Sequence, residues 1–163
     1  MKIALLGVGN ILLKDEGVGV RVIQELMDNY TFPTDIQLID GGTLGPHLLN
    51  LIKGFEEIIV IDAIQGGEEP GTLYKFLLDQ IPFEVTTKLS THQVGVLEVL
   101  SQVKLLGEQP RVTFIGIEPQ DISPWGMEST PFVKDKIPAL IEIIFSELEE
   151  HGIKRSSIVP RKV

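Results

Sequence analysis

Two nearly uninterrupted apolar runs, KIALLG at residues 2–7 and EEIIVIDA at residues 56–63, constrain this chain more than any other feature. A strand that is apolar on both faces has to be covered on both, and the usual cover is a layer of helices on either side of a parallel sheet. These two strands therefore belong near the sheet centre. DIQLID (35–40) alternates more and suits a strand nearer an edge, while GTLYKFLL (71–78) and RVTFIGI (111–117) bring the number of strands to five. Val18, Val22, Ile23, Leu26 and Met27 recur at helical spacing, as do Val96, Val99, Leu100 and Val103, so each set predicts a helix with one core-facing stripe. A short helix is expected after Pro46. A long one is expected through residues 129–152, with Pro138 kinking it or opening its second half and Gly152 stopping it. Alternating strands and helices imply a three-layer α/β/α domain with right-handed crossovers. GTLYKFLL is the exception: it follows the loop IQGGEEPG with no intervening helix, so it is expected to run antiparallel.

The 163 residues are enough for one domain, read here as 1–152 with a carboxyl-terminal tail at 153–163. The apolar runs are far shorter than the ~20 residues that cross a bilayer, so no membrane insertion is expected. No small-residue cleavage site follows MKIALLGVGN and acidic residues arrive by position 15, which points to a cytoplasmic protein. The absence of cysteine excludes disulfides, thiolate metal sites and a cysteine nucleophile, leaving oxygen and imidazole as metal donors. A formal charge of −9 opposes nucleic-acid binding. The one basic cluster, KRSSIVPRK at 154–162, reads as a frayed end.

The first loop has the look of a nucleotide cradle. Gly7 and Gly9 fit a dinucleotide fingerprint, yet Leu12 stands in the third glycine's place and Asp15 and Glu16 carry negative charge toward the phosphate position. Asp40, ending the second strand, keeps a Rossmann-type reading open as a ribose-binding acid.

In an open α/β sheet, functional groups gather beyond the carboxyl ends of the strands. Glu16 closes the first loop, Asp40 ends the second strand, Asp62 ends the third, and His92 lies in STHQVG just before a helix. Carboxylates with a neutral imidazole form a mixed donor set for a divalent metal such as zinc, nickel or iron, with positions open for substrate. Each residue also has a purely structural reading. Asp15 suits the amino-terminal cap of the first helix and Glu16 its first turn. Asp62 can cap the loop after it, and His92 can pair with a carboxylate. His47 and His151 read as surface residues. DGGTLGP (40–46) offers exposed backbone N–H groups at Gly41 and Gly42, either for a bound peptide or oxyanion or simply for a tight strand-to-helix turn.

Taken in order, GVGNILLKDEGVG, DGGTLG, IVIDAIQGGEEPGTLYKF, STHQVGVLEVL and FIGIEPQDI resemble the maturation endopeptidases of nickel-iron hydrogenases, over about residues 2–151. The resemblance implies a phosphorylase/hydrolase-like α/β/α fold with a mixed, mostly parallel five-stranded sheet. It implies removal of a carboxyl-terminal extension from a hydrogenase large-subunit precursor after nickel insertion. It also implies Glu16, Asp62 and His92 as the metal-contacting residues, and Gly41, Gly42 and Thr43 with Asp40 as a substrate-recognition and catalytic element, Asp40 assisting proton transfer. The nickel is then the substrate's own, held partly by the precursor, and other divalent ions would take the same donors in the isolated protein. Three ligands suffice for a cation that another protein already carries. A noncatalytic nickel-binding maturation chaperone using the same residues is the alternative from a different class.

Overall fold

The computed structural model describes residues 1–43 and 47–161, and of Thr91 and His92 the backbone alone. Five strands form the main sheet: β1 (Ile3–Val8), β3 (Ile36–Gly42), β4 (Glu57–Ala63), β5 (Leu73–Leu77) and β6 (Arg111–Ile117), in the spatial order β3-β1-β4-β6-β5. β1, β3, β4 and β6 are parallel, and β5 runs antiparallel to β6 at the far edge, as its missing crossover helix requires. Every residue of β1 and β4 is buried, which is what two-faced apolar strands flanked by neighbours and helices should show. β3 is the other edge strand and keeps the alternation that marked it in the sequence.

Helix α1 (Val18–Asn29) packs with α5 (Pro131–Glu150) on one face, where Ile3, Leu5, Ile59, Ile61 and Ile115 meet Val22, Ile23, Leu26, Ile144 and Phe145. On the other face α2 (Leu48–Ile52) and α4 (Thr91–Leu105) cover Ala4, Leu6, Ile58 and Val60 with Leu48, Ile52, Val96, Val99, Leu100 and Val103. A short helix, α3 (Phe83–Thr86), precedes α4. Alternate residues of one strand thus feed two separate cores, the period-2 geometry of a central strand. α1 lies unusually close to the sheet because Gly19 has no side chain: a Cβ there would sit 2.1 Å from the Ile61 carbonyl oxygen.

Three expectations are corrected. The carboxyl-terminal segment is docked rather than frayed: β7 (Val159–Pro160) pairs antiparallel with β2 (Tyr30–Thr31), and Ile158 is buried. Arg155 lies 4.2 Å over the Phe145 ring while bonding Glu142 at 2.7 Å, so a basic residue that reads as solvated is held by its aromatic and acidic neighbours. His151 is half-buried rather than a surface residue, its side chain only 8% exposed: its Nε2 lies 3.0 Å from Glu147 and 3.5 Å from Glu57. Of the two roles read for Pro138, opening a separate second half falls, because one helix runs through it from Pro131 to Glu150. Among the described residues no helix is long and apolar enough to cross a membrane.

Candidate active site

The order β3-β1-β4 places the connections from β1 and from β3 on opposite sides of β1, and the crevice beyond the carboxyl end of β1 is where such a sheet opens to ligands. A cavity of about 930 Å³ lies there. The loop after β1 lines it with Asn10, Leu13 and Glu16, the end of β3 with Gly41, Gly42 and Thr43, and α4 with Val94, Gly95 and Glu98. Its described lining holds two carboxylates, Glu16 and Glu98, and no lysine or arginine.

The first loop is drawn tight across β4. Gly9 has φ +128°, and a Cβ on it would lie 2.0 Å from the Glu16 carbonyl oxygen and 3.6 Å from Asp62 Oδ1. One glycine therefore separates the Glu16 backbone from the Asp62 carboxylate, bringing residues distant in sequence to one place. Asp62 is buried and held: Oδ1 accepts the Ala63 N–H at 2.8 Å, and Oδ2 accepts the Gln93 side-chain amide at 2.9 Å. Gln93 also donates to the Ala63 carbonyl at 2.8 Å, and its own oxygen accepts the Ser90 N–H at 3.0 Å in a capping box that starts α4. A single amide thus ties the start of α4 to the end of β4. His92 follows the Ser90 cap by two residues, so its backbone stands at the amino end of α4 as expected; its side chain lies outside the described residues. Among the described residues no group of three or more potential metal ligands occurs.

Asp40 is exposed. Its Oδ2 accepts the Gln24 amide at 3.4 Å, and its Oδ1 is 3.7 Å from where a Cβ on Gly42 would sit, so it stands at the cavity rim beside Gly42 rather than in the lining. Leu44, Gly45 and Pro46, the remainder of DGGTLGP, lie outside the described residues.

Asp15 does not cap α1. The residue preceding that helix is Gly17, which has no side chain with which to cap it. Asp15 is instead fully buried and accepts four hydrogen bonds from the segment after β6: Gln120 N–H at 2.9 Å, Asp121 N–H at 3.0 Å, Thr130 N–H at 2.7 Å and Thr130 Oγ1 at 2.8 Å. Lys14 pairs with Asp121 at 2.8 Å and holds that carboxyl well below the usual range, with Ser123 assisting. Arg21 donates to the carbonyls of Lys14 and Ile11 and to Ser129, and burial lowers its pKa against the pull of Asp15 and Glu128. Gln93 and this strap were missed by sequence reasoning. The S-x-x-Q spacing of Ser90 and Gln93 signalled the cap, but nothing local signalled the bond to Asp62.

The family model for hydrogenase maturation proteases matches residues 20–147. The chain belongs to the hydrogenase maturation protease family. It is 41% identical to the hydrogenase expression/formation protein HupD of Bradyrhizobium diazoefficiens over 93% of this chain and 80% of that one. It is 36% identical to the hydrogenase 2 maturation protease of Escherichia coli over 99% of this chain and 98% of that one. The solved E. coli maturating endopeptidase HybD superposes with a TM-score of 0.89 at 36% identity, covering 99% and 98% of the two chains. The [NiFe] hydrogenase maturation protease HybD of Thermococcus kodakarensis gives 0.71 at 29% identity, covering 90% and 98%. The chain is a peptidase by membership, and the nucleotide reading of its first loop falls.

Proposed function

We propose that this peptidase removes the carboxyl-terminal extension of a nickel-iron hydrogenase large-subunit precursor in the cytoplasm once nickel is in place, and that it reads the metal through Glu16, Asp62 and His92. The observation that carries the reading is the approach of the first loop to the end of β4 at Gly9, beside a cavity whose described charges are all negative. Such a cavity favours a cationic guest and disfavours phosphate. Nickel held by the precursor is substrate cargo, so the chain needs only supplementary oxygen and imidazole donors. Divalent ions added to the isolated protein would occupy the same donors.

Asp62 is aimed by Ala63 and Gln93, so its carboxylate meets the metal without first having to be ordered. Gly41, Gly42 and Thr43 border the cavity and receive the precursor's main chain there. We assign proton transfer at the scissile bond to Asp40, whose exposed carboxylate stands next to Gly42. A metal held by Glu16, Asp62 and His92 would orient the precursor, polarise the scissile carbonyl or activate water.

The test is the mass of a nickel-loaded large-subunit precursor after incubation with the purified protein. Glu16→Gln and His92→Ala are expected to slow trimming by about 100-fold or more while leaving the melting curve in place. Normal trimming by both would remove the metal-reading role, and tight nickel binding with no trimming by the wild type would return the chaperone alternative.

A further inference from the structure

Gly95 sits past the first turn of α4 with no reason inside the described protein to be glycine. Every other described glycine either has a positive φ or would press a Cβ within 4 Å of another described group. Gly95 has neither: its backbone is ordinary helix, and a Cβ on it would meet no described atom within 4 Å. Glycine in a helix interior weakens the helix relative to alanine, so the position carries a cost with no return among the described residues.

Its surroundings show where the return lies. Gly95 lines the cavity with Val94 and Glu98, neighbours on one face of α4, and Gly41 and Gly42 line the same cavity from the end of β3. Gly41 is small because of Leu6 behind it, and Gly42 because of its φ of +45°, so among the described glycines of the lining only Gly95 has no described neighbour that a Cβ would meet and no backbone need for glycine. A side chain approaching from outside would tolerate an alanine methyl by adjusting its rotamer. An extended main chain, with its fixed geometry, would not.

We infer that Gly95 marks where the main chain of the precursor's carboxyl-terminal segment crosses α4, making it a specificity-determining residue for an extended peptide. The inference rests on the peptidase reading above and adds the path of the substrate through the cavity.

Gly95→Ala tests it by two readouts that a packing glycine would move together. The variant should melt about 2–4 °C higher than wild type, because the helix gains and nothing clashes. Its kcat/KM for the nickel-loaded precursor should fall about 10- to 100-fold, mainly through KM, because one methyl displaces the chain. Ser101→Ala, at an exposed position of the same helix, should trim like wild type. A lower melting temperature in Gly95→Ala would show that the glycine serves internal packing and would overturn the inference, as would unchanged trimming alongside a Glu16→Gln variant that is blocked. If the wild type leaves the precursor intact, the peptidase reading fails by itself. Titration calorimetry with the same precursor then still decides Gly95: affinity weakened by about 10-fold or more supports the crossing, and equal affinity refutes it.

Discussion

Replacing Asp15 separates two accounts of the same residue by size of effect. As a helix cap, Asp15→Ala should cost about 1 kcal/mol. As the acceptor for Gln120, Asp121 and Thr130, it holds four hydrogen bonds at 2.7–3.0 Å from a fully buried carboxylate. Bonds to a charged group contribute about 1.5–3 kcal/mol each, but the donors are part-buried and regain water in part, so we expect a loss of about 3–5 kcal/mol. Removing the carboxylate also leaves the Arg21 guanidinium without its strongest favourable neighbour. Asp15→Asn keeps the shape. With its oxygen in the Oδ2 place it retains three of the four bonds and turns an amide N–H toward the Thr130 N–H, so a loss of about 1–3 kcal/mol is expected. Urea unfolding followed by far-ultraviolet circular dichroism measures both. A loss near 1 kcal/mol for Asp15→Ala with almost none for Asp15→Asn would refute the strap and restore the cap.

Glu147 is buried against Lys75 at 2.5 Å and His151 at 3.0 Å; burial pushes its pKa up, and the bonds from Lys75 and His151 outweigh it and leave it lowered. A carboxyl with a lowered folded pKa stabilises above its unfolded pKa. Glu147→Gln should therefore cost about 2–3 kcal/mol at pH 7, with the difference from wild type shrinking once pH falls below the ordinary glutamate value and vanishing as it passes the lowered folded one, read by urea midpoints across pH. Tyr74 donates to Glu118 at 2.7 Å, and the same Glu118 oxygen accepts the Gly66 and Glu68 N–H groups, so Tyr74→Phe should cost about 1–2 kcal/mol in the same unfolding assay and speed hydrogen exchange in residues 66–71. Truncation after Gly152 removes buried Ile158 and the β2–β7 pair and should lower the melting temperature by several degrees, roughly 2–4 °C per kcal/mol lost; an unchanged melt would restore the frayed tail.

The parts of this fold that were legible in the sequence are those set by local periodicity. The runs at β1 and β4, the alternation in β3 and the stripes on α1 and α4 follow from which side chains must share a face, and the antiparallel β5 follows from a connection too short to cross over. What stayed hidden depends on partners far along the chain. Asp15 meets groups 105 to 115 residues away, and Gln93 meets Asp62 across 31. Neither separation leaves a periodic trace. His151 was misread because no local pattern sets it apart, whereas β4 brings Glu57 to it and Lys75 of β5 pairs with its other partner, Glu147. That Glu16 and Asp40 stand on one rim was legible from their places at strand ends, and Gly41, Gly42 and Thr43, at or just past the end of β3, border the same cavity as Glu16.

Adjacent acids with opposite duties explain how the first loop tolerates so much negative charge. Residues 14–17 form a tight 3-10 turn, in which neighbours point about a third of a circle apart, so Asp15 goes into the strap while Glu16 borders the cavity. Lys14 and Arg21 sit on the Asp15 side, one paired with Asp121 and the other bonded to carbonyls, and neither lines the cavity. The positive charge that folds the loop is thereby kept out of the cavity lining, leaving Glu16 and Glu98 as the described charges there. Had Lys14 turned inward it would have neutralised Glu16 and repelled a metal. On the cation-reading role proposed above, its pairing with Asp121 contributes to that selection, and Asp121→Ala should weaken precursor trimming more than the modest stability lost with a half-exposed ion pair would account for. Trimming of the nickel-loaded precursor at the wild-type rate by Asp121→Ala would show that the field in the cavity does not depend on where Lys14 points.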